Sequence, residues 1–172
     1  MNRDSHWSSI ARNSAQTLAD RLKQRSNDRV VFAESCTCGL VAALLGQCPG
    51  ISEWLCGSAV TYRESVKQQW LDVAAETLEE FTAESLETTC EMAIGVLQKT
   101  GEARFSAAVT GHLGPDAPPD IDGRIFLAVA TLDAKEPKIL AAESCQLTSP
   151  TRIDRQHEAA NLVFQLLMRW LK

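Results

Sequence analysis

Short apolar, β-branched runs alternate along this chain with stretches of helical periodicity, and the order of the two leaves few folds open. "RVVFA" at 29–33, "GSAVTY" at 57–62 and "FSAAVTG" at 105–111 read as strands. "RIFLAVATL" at 124–132 and "KILAAESCQL" at 138–147 are two more, joined by a turn near Lys135, Glu136 and Pro137. Helices separate them. The first, over 8–25, carries Ile10, Leu18 and Leu22 at helical spacing, and "GLVAALLGQ" at 39–47 is stopped by Pro49-Gly50. Residues 65–71 and 75–81 form short helices or turns. Ser85 can cap a helix with Leu86, Cys90, Ile94 and Leu97 on one face. The last helix takes Pro150 at its first position and buries Ile153, Ala160, Val163, Leu167 and Trp170. The order α-β-α-β-α-α-β-β-β-α predicts a three-layer α/β/α sandwich around one mixed, mostly parallel sheet of about five strands. The first two strands run into helices and should lie parallel, whereas the short turn between the last two forces an antiparallel pair. With no repeat, low-complexity tract or linker, residues 1–172 are expected to form a single domain.

Charge narrows the function. A net charge of −5 offers no general attraction to nucleic acid or to an anionic membrane surface, so neither is expected as a partner. The N-terminal "MNRDSHWSSIARNSAQ" lacks the apolar segment of a signal peptide, and no apolar run approaches the roughly 20 residues that span a bilayer. A cytoplasmic location is expected. There the six cysteines should be reduced, and Cys36-x-Cys38 lacks further ligands, because His6, His112 and His157 are scattered. No metal and no cofactor are expected.

Three strand ends carry groups useful to chemistry. The first ends in "ESCTC", Glu34 to Cys38; the second in Thr61-Tyr62, with Lys67 a helical turn further on; the third in Thr110-Gly111. Ligands of α/β sheets bind beyond the carboxyl ends of strands, so these residues could converge in one crevice. A serine needs a base, and a lysine serves when a dry pocket lowers its pKa. Backbone amides of residues 36–39, Gly39 included, could hold an oxyanion or a phosphate. Taken alone, Ser35 and Thr37 are more often helix caps than nucleophiles, Lys67 is a solvated surface lysine and Tyr62 a half-buried strand aromatic. Cys36 is a rival nucleophile, without a histidine near it in sequence. Alternation along the strand sends Glu34 and Ser35 to opposite sides, so Glu34 should point away from the crevice, and Glu64 should project into solvent.

"AESCTCGLVAALLGQCPGISEWLCGSAVTYRESVKQQWL" resembles the pattern A-E-S-C-T-G-G…P-G-S-S…F-V-T-Y-S-N-x-A-K of the C-terminal domain of the competence/damage-inducible CinA proteins. "EMAIGVL" and "AVTGHLGPD" resemble that family's later helix and its T-G-I-A-G-P segment, and the similarity runs from about residue 10 to 170. The chain is similar to a stand-alone form of the domain. The resemblance implies a homodimer and a metal-free amidase that converts nicotinamide mononucleotide to nicotinate mononucleotide and ammonia. It implies Ser35 as nucleophile, Lys67 as base and Tyr62 as assisting phenol. Cys36, Thr37, Gly39, Thr110, Gly111 and Arg152 would contact the nucleotide, with "SPTR" matched to the family's P-G-D-R.

The chain departs from the pattern in definite places. Cys38 replaces a glycine, Arg63-Glu64-Ser65-Val66 precedes Lys67, and Asp116-Ala117-Pro118-Pro119-Asp120 replaces a glycine-rich run. Gln156 and His157 lie where paired arginines are expected, and Arg155 has no matched role. Two acids in the loop suit an anionic substrate poorly. The alternative to an amidase is therefore a divergent, non-catalytic nucleotide-binding paralogue of the same fold.

Overall fold

The computed structural model describes residues 6–133 and 136–171; Lys135 of the expected turn lies outside them. Helix α1 spans His6–Lys23, β1 Val30–Glu34, α2 Leu40–Gly46, β2 Leu55–Val60, α3 Glu64–Leu71, α4 Ala75–Phe81, α5 Leu86–Lys99, β3 Phe105–Gly111, β4 Arg124–Asp133, β5 Glu136–Gln146 and α6 Arg152–Met168. Among the described residues the strands form one five-stranded sheet in the order β2-β1-β3-β4-β5. β1 pairs in parallel with β2 and β3, while β4 is antiparallel to both β3 and β5. Four strands thus share one direction and β4 alone is reversed, giving the mixed, mostly parallel α/β sandwich that the element order predicts.

Each face of the sheet is sealed by its own apolar cluster. On one side α1, α2 and α6 pack Leu18, Leu22, Leu45, Phe164 and Leu167 against Phe32, Val109 and Leu127. On the other, α5 sets Met92, Ala93, Val96 and Leu97 against Ala33, Ala108, Ala128 and Ala130. The small strand residues let α5 lie close to the sheet, where Ser106 Oγ donates to Ala93 O at 2.7 Å. The α5–α3 crossing is tighter still. A Cβ on Gly95 would stand 1.9 Å from Leu71 O, so only glycine admits α3 at this distance. That contact sets the height of Lys67, one turn back from Leu71.

Three details of the expected pattern are corrected. α6 starts at Arg152 rather than at Pro150, because the Thr151 side chain accepts from Asp154 N and caps it. A hydroxyl satisfies a free N–H there, which a proline ring cannot do. Ile153, 68% exposed, and Trp170, 41% exposed, leave the buried stripe because α6 turns Ala160, Val163 and Leu167 toward the sheet. On α5, Cys90 and Ile94 are half-buried, and Thr89, Met92, Ala93 and Val96 join Leu97 on the buried side. No helix of the described residues is long and apolar enough to cross a membrane.

Candidate active site

Strands β1, β2 and β3 end side by side, and their ends build the floor of a crevice. Ser35 follows β1 directly, its N–H donating to Val109 O of β3 at 3.0 Å. Thr61 follows β2, with its N–H bonded to Glu34 O at 2.8 Å. From α3, Lys67 reaches into the gap with no exposed surface. Its Nζ donates to Ser35 Oγ at 3.1 Å and to Thr61 O at 2.9 Å. Both acceptors are neutral. Burial pushes the Lys67 pKa below its ordinary value; Glu84 pulls it back up most strongly, then Cys36 and, least, Glu64. Glu64 is exposed in the first turn of α3, as expected.

Glu34 points away from the crevice, into a site of its own. One carboxylate oxygen accepts from Thr37 Oγ1 (2.8 Å) and Val41 N (3.0 Å), the other from Ala42 N (3.0 Å) and Ser58 Oγ (2.9 Å). It caps the amino end of α2 and ties β2 to the turn. The Thr37 hydroxyl is spent on Glu34 and its side chain is buried, so only its backbone amide is left to meet a substrate. Within the turn, Cys38 N–H goes to Ser35 O and Leu40 N–H to Thr37 O. The amides left to meet a ligand are narrowed to those of Cys36, Thr37 and Gly39.

The cysteines of the turn differ. Cys36 is buried, and burial above all pushes its thiol up to about 12, so at neutral pH it is a protonated, poor nucleophile. Cys38 is exposed and adopts φ 53°, the left-handed conformation that glycine takes without strain. The chain keeps the turn's geometry with a residue that opposes it.

Above the floor opens a cavity of about 320 Å³, lined by Ser35, Cys36, Tyr62, Glu84, residues 111–114, residues 116–118 and Arg152. Gly111 belongs to this wall because at φ 148° its Cβ would fall 2.5 Å from Arg124 O. Tyr62, 54% exposed, stands at the rim. Its Oη accepts from Arg152 Nη2 at 3.1 Å, and Arg152 Nη1 donates to Gly114 O at 2.6 Å. The phenol is therefore engaged at the mouth rather than at the Ser35–Lys67 pair. Thr110 is not at the surface of the crevice: it is buried, its Oγ1 2.8 Å from Thr89 Oγ1. Gly39 serves at the helix start with φ 92°.

Sequence reasoning gave no role to Arg155, Gln156 or Glu84. Arg155 grips Asp122 with two bonds, at 2.7 and 2.9 Å, and donates to Ser149 O, fastening the 112–123 turn to α6. That bonding holds the Asp122 carboxyl below its usual range. Gln156 Nε2 reaches Cys36 O at 3.3 Å, whereas His157 bonds only within its own helix, to Ile153 O. Glu84, one residue before the Ser85 cap, reaches the cavity wall with His112 Nε2 4.0 Å from its Oε2. Its single signal in the sequence is an acid ahead of a helix cap, which does not tell wall from solvent.

A family model described as "CinA C-terminal domain" matches residues 11–171. A CinA-like protein of Endomicrobium trichonymphae is 36% identical over 156 residues, 90% of this chain and 35% of that protein. A putative competence-damage inducible protein of Clostridium perfringens is 48% identical over 86 residues, 50% of this chain and 21% of that protein. The chain thus spans about a third or less of these relatives' length. Among solved structures, the competence/damage inducible protein CihA of Agrobacterium tumefaciens superposes with TM-score 0.85 at 26% identity, covering all of both chains. A CinA superfamily protein of Klebsiella pneumoniae gives TM-score 0.83 at 25% identity, over 94% of this chain and 97% of that one.

Proposed function

Starting from the finding that the chain belongs to the CinA C-terminal domain family, we propose that it is an amidohydrolase acting on nicotinamide mononucleotide or a close pyridine nucleotide. One observation carries this reading: a fully buried lysine, hydrogen-bonded to neutral acceptors alone, 3.1 Å from a serine hydroxyl on a cavity floor. Burial favours the neutral amine, which is the form a base needs. Lys67 Nζ takes the Ser35 proton as Oγ bonds to the carboxamide carbon. The C=O pair moves to oxygen, held by turn amides among residues 36–39. When the pair returns, the C–N bond breaks and Lys67 passes its proton to the leaving nitrogen, which departs as ammonia. Water, deprotonated by the same amine, then attacks the acyl-serine and releases nicotinate mononucleotide with Ser35 restored.

Tyr62 and Arg152, bonded to each other at the rim, are assigned to the nucleotide rather than to proton transfer. A homodimer in the cytoplasm belongs to the same proposal. A non-catalytic nucleotide-binding paralogue is the second reading, favoured by the acids Glu84 and Asp116 in the cavity wall. Incubation with nicotinamide mononucleotide and an assay for ammonia decides between them. Release is expected, abolished in Ser35→Ala and largely kept in Cys36→Ala; activity surviving the serine change would move the chemistry to Cys36 or Thr37.

A further inference from the structure

Charge is distributed unevenly inside the crevice. Its wall carries two carboxylates, Glu84 and Asp116, and one guanidinium, Arg152, which is turned to Gly114 O and Tyr62 Oη at the mouth. Glu84 is the acid that bears most on the reacting groups. Of the charges acting on Lys67 it is the strongest, and its field also reaches Cys36 beside the nucleophile. Its neighbour His112 stands at 4.0 Å, beyond hydrogen-bond distance, so the imidazole does not hold the carboxylate in a tight pair. The side chain of Glu84 is 28% exposed, partly withdrawn from the water that would screen it. A partly desolvated anion thus faces the serine across a cavity of about 320 Å³, at the small end of ligand-sized pockets and suited to a single ring.

We infer that Glu84 is a specificity-determining residue that selects a carboxamide borne on a positively charged ring, held between Glu84, His112 and Ser35. The inference rests on the amidase reading and names the residue that reads the charge of its substrate. A ring of that charge recovers attraction that a neutral ring of the same shape does not, and at a part-exposed carboxylate this amounts to about threefold in affinity. The same positive charge offsets the pull of Glu84 on Lys67. In the empty site burial already holds the Lys67 pKa below its ordinary value while Glu84 works against it; a cationic ring bound beside Glu84 weakens that opposition and favours the neutral amine further. Substrate charge and catalytic readiness are coupled through one side chain.

The test uses Ser35→Ala, designed to bind without turnover. It is titrated calorimetrically with nicotinamide mononucleotide and with the same nucleotide reduced to a neutral 1,4-dihydropyridine. The cationic ligand is expected to bind about threefold more tightly, with Glu84→Gln in that background erasing the ratio and Glu84→Asp, which keeps the charge, preserving most of it. Should Glu84→Gln fail to fold, loss of the ratio in a folded Glu84→Asp overturns the inference. Equal affinities, a ratio that survives Glu84→Gln, or no binding of either ligand also overturn it. Ammonia release by the unmodified chain is measured separately. No release with the ratio intact sinks the amidase reading and leaves the role of Glu84 standing; release without the ratio does the reverse.

Discussion

The floor of the crevice and its rim are built on opposite physical terms. On the floor Ser35, Lys67 and Glu34 are buried, and the lysine and the carboxylate each answer to several partners at hydrogen-bond distance. On the rim Tyr62 and Arg152 are exposed and hold each other and Gly114 by bonds that water can replace. A buried polar group that loses its partner bears the full desolvation penalty, while an exposed one exchanges protein for water at little net cost. The difference teaches where a chain like this can vary. Substitutions at the rim change what is bound, whereas a change in the floor disturbs chemistry and fold together.

Removing the lysine is the sharpest way to break that contrast. Lys67→Met is expected to lower the rate of ammonia release by about a thousandfold, as loss of a general base does. The pH profile sharpens it. Because the folded-state pKa of Lys67 lies below its ordinary value, the unfolded chain binds more protons between the two, so this residue's penalty on stability is full at low pH and fades as pH rises through that window. Activity should climb over the same range as the amine becomes neutral. Urea unfolding at several pH values should show this pH-dependent component in the parent and not in Lys67→Met. An activity unchanged by the substitution would remove Lys67 from the chemistry.

Glu34→Ala tests whether the second buried charge is structural alone. It strands Thr37 Oγ1, Ser58 Oγ and the Val41 and Ala42 amides, and is expected to cost about 3 kcal/mol of folding stability, read as a shift in the urea midpoint. A loss under about 1 kcal/mol would mean that water enters the turn and the floor is less dry than its contacts imply. The rim variant, Arg152→Ala, is expected to be the mildest. It should raise KM by about tenfold with kcat and melting temperature little changed, in steady-state assays paired with thermal denaturation. A collapse of kcat instead would bring the Tyr62–Arg152 pair into proton transfer and erase the distinction between floor and rim.

Much of this was legible in the sequence because it depends on near neighbours. Strand and helix order, the Ser85 cap, the α4 limits and the direction of Glu34 away from the crevice follow from local periodicity, capping chemistry and strand alternation. The sequence also placed Ser35 and Lys67 among the candidates, since both follow strand ends. Ile153 and Trp170 were misread for a physical reason: they continue an apolar periodicity, yet α6 turns Ala160, Val163 and Leu167 inward and leaves these two exposed.

What the sequence by itself determined is an α/β chain whose reactive residues sit at strand ends. Only the tertiary structure decided which of them meet. Lys67 and Ser35 lie 32 residues apart, and Arg152 and Tyr62 lie 90 apart. Neither separation has a local signature, because contact depends on β1 being flanked by β2 and β3 and on α3 being drawn in over Gly95. The fate of each carboxylate was settled in the same way. Glu34 and Glu84 are the same side chain in sequence, and one became a four-bonded cap while the other faces the cavity, since burial and partners are properties of the assembled sheet and not of the residue.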